Sequence, residues 1–113
     1  MRYCRLEHND RRIPWLVHRC TGLRERAVGL LVAGQPDPDT AWLLEPCSRV
    51  HTFGMRQAID ILFCDQQWRV LDLFDRLEPW RIAGHPLARA TWELQAGSID
   101  RLGLRLGDRL CPA

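Results

Sequence analysis

The densest chemistry in this chain lies in residues 46–65, Pro-Cys-Ser-Arg-Val-His-Thr-Phe-Gly-Met-Arg-Gln-Ala-Ile-Asp-Ile-Leu-Phe-Cys-Asp. Cys47, His51 and Met55 fall four apart, and thiolate, imidazole and thioether form a soft donor set suited to Cu(I). On a helix the three would share a face. Val50, Thr52 and Phe53 disfavour a helix there, so the expectation is no metal and no cofactor. Cys47 or Cys64, with His51 and Asp60, supply the residue types of a thiol nucleophile, its base and an orienting group. Cys64 stands in an apolar run, where a thiol is inert. Catalytic residues are therefore left unassigned.

His51 and Arg56 ahead of Asp60 form the stronger grouping. An opposite charge nearby keeps a desolvated carboxylate ionised. In one account Asp60 is the buried partner of Arg56, or of loop N–H groups, and orients the loop before a strand. In the other, His51, Thr52, Met55, Arg56 and Asp60 line a pocket for an anionic or polar ligand, with Trp80 and Arg81 as a second wall. A hydrolase using Asp60 with His51 is the alternative. Glu93 sits next to inward-facing Trp92 and Leu94 on an alternating stretch, so it should point out of the core. There it could add a second carboxylate or accept backbone hydrogen bonds ahead of the Ala96-Gly97 turn.

The elements that must hold these groups are short strands. Residues 59–65 place Ile59, Ile61 and Phe63 on one face and Asp60, Leu62 and Cys64 on the other. Both faces are largely apolar, which predicts a strand covered on two sides. Gln66-Gln67 can turn the chain so that residues 68–73 return beside it as a hairpin. Residues 15–20, following the charged turn Asn9-Asp10-Arg11-Arg12, predict a strand near a sheet edge. Residues 41–45 and 90–94 predict two more. Thr21 can cap a helix carrying Leu23, Ala27, Leu30 and Leu31 on one face and ended by Gly34. Residues 78–86 hold two Pro and a Gly and predict an irregular binding loop. Ser98 should cap a helical turn over 99–102 closed by Gly103, and Gly107-Asp108 a turn before a last short strand. Trp15, Trp42, Trp68 and Trp92 suit the core. Without regular βαβ alternation, a small open or closed β-barrel-like α+β fold of five to six or more strands and two short helices fits best.

His51-Thr52-Phe53-Gly54-Met55-Arg56, then Ile59-Asp60-Ile61-Leu62-Phe63 and Asp65, resembles the central signature of the bacterial and archaeal family called domain of unknown function 192. Arg26-x-x-Gly29-Leu30-Leu31, Glu93-x-x-x-Gly97 and Leu102-Gly103-Leu104-Arg105-Leu106-Gly107-Asp108 are similar to further family features in the same order. Ala58, Gly54 and Gln57 stand where that family often has Pro, an aromatic and Asn. The resemblance spans nearly the whole chain. It implies a compact, mainly β domain with short helices and no established activity.

Composition sets the outer bounds. The 113 residues suit a single domain over 1–113 that buries roughly two-thirds of its unfolded surface. A net charge of +2 gives no argument for nucleic acid. All sixteen basic residues are Arg, but they are scattered, as a coding bias would leave them. No apolar stretch approaches the ~20 residues of a membrane span, and the first residues do not form a signal peptide. These features predict a cytoplasmic monomer. Cys4, Cys20, Cys47, Cys64 and Cys111 form no Cys-x-x-Cys pair and are expected to stay reduced. Cys4 and Cys111 become neighbours if the first and last strands close a barrel. The function expected is a non-catalytic accessory module that binds a small ligand or a partner segment at the signature loop.

Overall fold

The computed structural model describes residues 2–20 and 36–113. Among these residues, nine strands and one short helix follow in order: β1 (Arg2–His8), β2 (Arg11–Cys20), β3 (Thr40–Leu44), β4 (Arg49–His51), β5 (Ile59–Cys64), β6 (Val70–Leu77), β7 (Ile82–Gly84), β8 (Ala90–Gln95), α1 (Ser98–Leu102) and β9 (Leu110–Pro112). Seven strands form one sheet in the order β6-β5-β8-β3-β2-β1-β9, and β4 and β7 pair apart as a two-stranded ribbon. The helix expected from Thr21 lies outside the described residues.

Local sequence explains the pairings. Asn9 and Asp10 both take positive φ, 50° and 66°; Asn and Asp tolerate this conformation, and it suits the tight turn joining β1 to β2. Strand therefore continues on both sides of a turn two residues long, and residues 2–8 form a strand that their polar composition conceals. Pro14 falls where the β1–β2 register shifts, between Arg5/Leu16 and Leu6/Ile13, a position that needs no ladder N–H. With β1 and β9 beyond it, β2 is an inner strand and not an edge. The β5–β6 hairpin forms as expected. Its turn is held by Asp65, whose Oδ1 accepts the Gln67 and Arg69 N–H at 2.8 and 3.0 Å.

The sheet curls into a half-barrel. Its two outer segments meet at one end, where Val70 N–H donates to Asp108 O at 2.8 Å, Leu110 N–H to Trp68 O at 2.9 Å and Gly107 N–H to Val70 O at 2.9 Å. Inside the curl, Leu6, Val17, Leu43, Leu62, Trp92, Leu94 and Leu110 form the main core. The buried Trp92 ring N–H donates to Leu110 O at 3.2 Å, so its burial leaves no polar group stranded. Trp15 and Trp42 are buried as expected, and Trp68 is half-buried against Trp92. A second apolar layer packs Ile59, Ile61 and Phe63 from β5 against Val50 of β4 and Ala83 of β7. Thus β5 is covered on both faces, as its alternation requires.

Candidate functional site

Asp60 is fully buried on the inner face of β5. Its Oδ1 accepts the Arg76 N–H at 2.8 Å, and its Oδ2 accepts those of Gly97 at 3.1 Å and Ile99 at 2.8 Å. These amides are available for physical reasons. Arg76, at φ 57°, lies where the β5–β6 register shifts, so its N–H leaves the ladder. Gly97, at φ 96°, is the N-cap of α1, whose first amides lack partners within the helix. Ser98, expected as the cap, makes no side-chain cap bond; Asp60 supplies the acceptor instead. Burial pushes the Asp60 carboxyl above its usual range, opposed by the amides of Ile99, Arg76 and Gly97, while Asp75 adds to the rise. The expected pairing with Arg56 or His51 is not formed. Of the two partner types anticipated for Asp60, backbone N–H groups are the ones present.

His51, Thr52, Trp80 and Arg81 gather elsewhere, at the end of the β4–β7 ribbon, and Arg56 follows four residues after Thr52. The segment expected to be irregular contains β7, which pairs antiparallel with β4 through Arg49/Gly84, Val50/Ala83 and His51/Ile82. Gly84 permits this pairing, because a Cβ there would lie 2.9 Å from Ser48 O. Val50 and Ala83 point inward, and His51 and Ile82 point outward.

Thr52 is the hub. Fully buried, it donates its N–H to Arg81 O at 2.9 Å and accepts the Trp80 N–H on its own O at 3.0 Å. Its hydroxyl donates to Glu78 O at 2.6 Å and accepts the Arg81 N–H at 2.9 Å. These bonds hold Trp80 at φ 64° with 65% of its surface exposed. Such a conformation is an outlier for a bulky residue. Phe53, 40% exposed, lies between Trp80, at a centroid distance of 5.8 Å, and His51, at 4.9 Å. The Phe53 N–H donates to His51 Nδ1 at 3.2 Å, which puts the ring proton of neutral His51 on Nε2.

Around this aromatic platform Arg81 pairs with Glu78 at 3.1 Å. Arg56 is exposed and takes part in no ion pair among the described residues. Met55 turns inward against the second apolar layer, as does Cys47, whereas His51 faces outward. Cys47, His51 and Met55 thus do not share one face. Among the described residues no cluster of three His, Cys, Asp or Glu could hold a metal ion.

Cys64 is buried and its thiol is pushed up to about 12 by desolvation, which makes it inert. Cys111 lies opposite Glu7 in the β1–β9 pairing, so it faces Glu7 and not Cys4. Glu93 corrects an expectation: only 3% exposed, it lies between Ile61 of β5 and Trp42 of β3. The face that was expected to meet solvent is covered. Its Oε2 has no hydrogen-bond partner among the described residues, and burial pushes the carboxyl up to about 8.

The sequence pattern did not mark Phe53 and Ile82 as site residues. Two-residue alternation from His51 is a signal for Phe53. Ile82 lacked one because β7 is three residues long between two Pro.

The fold and site define a small, mainly β half-barrel with an outer aromatic ribbon. The model of the domain of unknown function 192 family, described as Uncharacterized ACR, matches residues 6–111. The chain belongs to that family. No curated protein shows significant similarity to it. Among solved structures, a candidate transcription regulator from Sinorhizobium meliloti 1021 is 21% identical with a TM-score of 0.85, over 98% of this chain and 94% of that one. A protein of unknown function from Novosphingobium aromaticivorans DSM 12444 is 17% identical with a TM-score of 0.79, over 96% of this chain and 83% of that one. At these identities the likeness is one of fold. No helix among the described residues is long and apolar enough to cross a membrane.

Proposed function

We propose that this chain is a non-catalytic, single-domain cytoplasmic binding module, and that the outer face of the β4–β7 ribbon with its Trp80 corner is where a small ligand or partner segment docks. The carrying observation is the Thr52 hub, which holds a largely exposed Trp80 in a strained backbone conformation against Phe53. Strain of ~1–3 kcal/mol persists only where the surroundings enforce it, and it concentrates at functional positions. Exposing so large an aromatic ring forgoes apolar burial that folding would favour. The competing hydrolase, with Asp60 and His51 as its pair, lacks this support, because Asp60 is buried on three backbone amides while His51 stands exposed against Phe53.

A thermal-shift screen of metabolites and short peptides on the wild type and Trp80→Ala tests this. A ligand that binds only the folded state, at about 100 times its Kd, adds about 2.7 kcal/mol. The expected result is a ligand whose shift is lost in Trp80→Ala. Hits whose shifts all survive the substitution would move the site elsewhere, and turnover abolished by Asp60→Asn in a stably folded variant would restore the enzyme.

A further inference from the structure

Two features of the Trp80 corner select a class of ligand. The first is the stacking surface: Trp80 lies against Phe53 with an interplanar angle of 25°, and 65% of its own surface remains open. A flat, exposed indole recognises another flat ring by stacking. The second is charge. Residues 47–58 and 78–89 carry Arg49, Arg56, Arg81 and Arg89 against Glu78 alone, an excess of three, where the whole chain has a net charge of +2. Glu78 is taken by Arg81; of the remaining three, Arg49 pairs with Gly84 at the other end of the ribbon, and Arg56, exposed and in no ion pair among the described residues, is the one that follows Thr52 most closely in the chain. The Met55 and Trp80 N–H groups both donate to Thr52 O, at 3.2 and 3.0 Å, and Arg56 is the residue after Met55. A guanidinium fork matches carboxylate and phosphate oxygens.

Resting on the binding reading above, we propose that the Trp80 corner takes a small planar aromatic molecule bearing a phosphate or carboxylate group, its ring stacked on Trp80 and its anion on Arg56. One open indole face and one uncompensated arginine fit one ring and one anion. A nucleic-acid strand would require a series of stacking faces along a basic groove.

The test uses the intact chain and six probes followed by NMR and calorimetry: adenosine 5′-monophosphate, indole-3-carboxylate, adenosine, inorganic phosphate, indole and acetate. The first two distinguish a nucleotide-like from a carboxylate-bearing ligand. At least one should bind saturably, shift the Trp80 indole resonance and outcompete its neutral or ring-less counterpart by fivefold or more. Trp80→Ala should weaken that binding at least tenfold. Arg56→Gln, an exposed change that leaves folding intact, should weaken the anionic ring several-fold and leave adenosine unaffected. The proposal is overturned if neither anionic ring binds, if adenosine binds as well as its monophosphate, or if affinity survives Trp80→Ala. A neutral or peptide ligand that depends on Trp80 while both anionic rings fail would also overturn it, while preserving the broader binding role.

Discussion

Asp60 and Glu93 stand on adjacent strands, one residue out of register, and point to opposite faces of the sheet. Both are carboxyls removed from water, yet the chain treats them differently. Asp60 lies where the ladder breaks, beside a register shift and a helix start, and three amides without other partners converge on it. Glu93 lies mid-sheet between β5 and β3, where neighbouring amides are engaged in strand pairing, and its Oε2 has no donor among the described residues. Burial raises both carboxyls; at Asp60 alone unpaired donors oppose that rise. Asp60 is an anchor, and Glu93 is a carboxyl that burial pushes toward its neutral form.

The largest effect should come from Asp60. Asp60→Ala strands three buried N–H groups and should cost roughly 3–5 kcal/mol, lowering Tm by about 10 °C or more in a domain of this size. Asp60→Asn keeps one oxygen acceptor but turns an amide NH2 toward other donors, and should cost about 1–3 kcal/mol. Urea unfolding measures both. A neutral outcome for Asp60→Asn would show that the amides do not need the charge.

Glu93 should respond to pH. Its folded pKa of about 8 lies above its ordinary 4.5, so its contribution to stability is fully present below ~4.5 and is lost as pH rises to about 8. Between those limits the slope is roughly 1.4 kcal/mol per pH unit. Unfolding free energies at pH 5, 6.5 and 8 should fall steeply for the wild type and much less for Glu93→Gln, making the variant the more stable at pH 8. Asp60, also raised, contributes a decline of the same sign that begins in the ordinary carboxylate range. Parallel wild-type and Glu93→Gln curves would mean that Glu93 is ionised and has found a partner.

Smaller effects belong to the exterior. Thr52→Val keeps the shape but removes the hydroxyl between Glu78 O and the Arg81 N–H; a loss of about 1–3 kcal/mol is expected, with faster hydrogen exchange at Arg81. Arg56→Gln, at an exposed position, should stay within about 0.5 kcal/mol of wild type. A larger loss would reveal a structural role for its charge.

The contrast also shows where sequence reading succeeds. Alternation in β5 displayed both of its apolar faces, and the turn after Asp65 marked the hairpin, because these are relations between near neighbours. Asp60's partners were hidden, since they are main-chain amides 16 to 39 positions away and any residue but proline carries one. Glu93 looked outward because Trp92 and Leu94 face the main core, and alternation cannot say whether the opposite face is covered too. The Thr52 hub was legible as a candidate residue but not as a hub, because β7 is too short to announce the ribbon that Thr52 ties down.

The seam closing the half-barrel bears on how fast this chain folds. The β1–β2 and β5–β6 hairpins close over short turns, but the bonds among Trp68, Val70, Gly107, Asp108 and Leu110, and those from β1 to β9, join residues roughly forty and a hundred positions apart. Long loops must be closed before such contacts return any free energy. Folding on the millisecond-to-second scale typical of sheets with distant pairings is therefore expected, with φ-values near zero for Leu110 at the seam and higher ones for Leu62 in the hairpin.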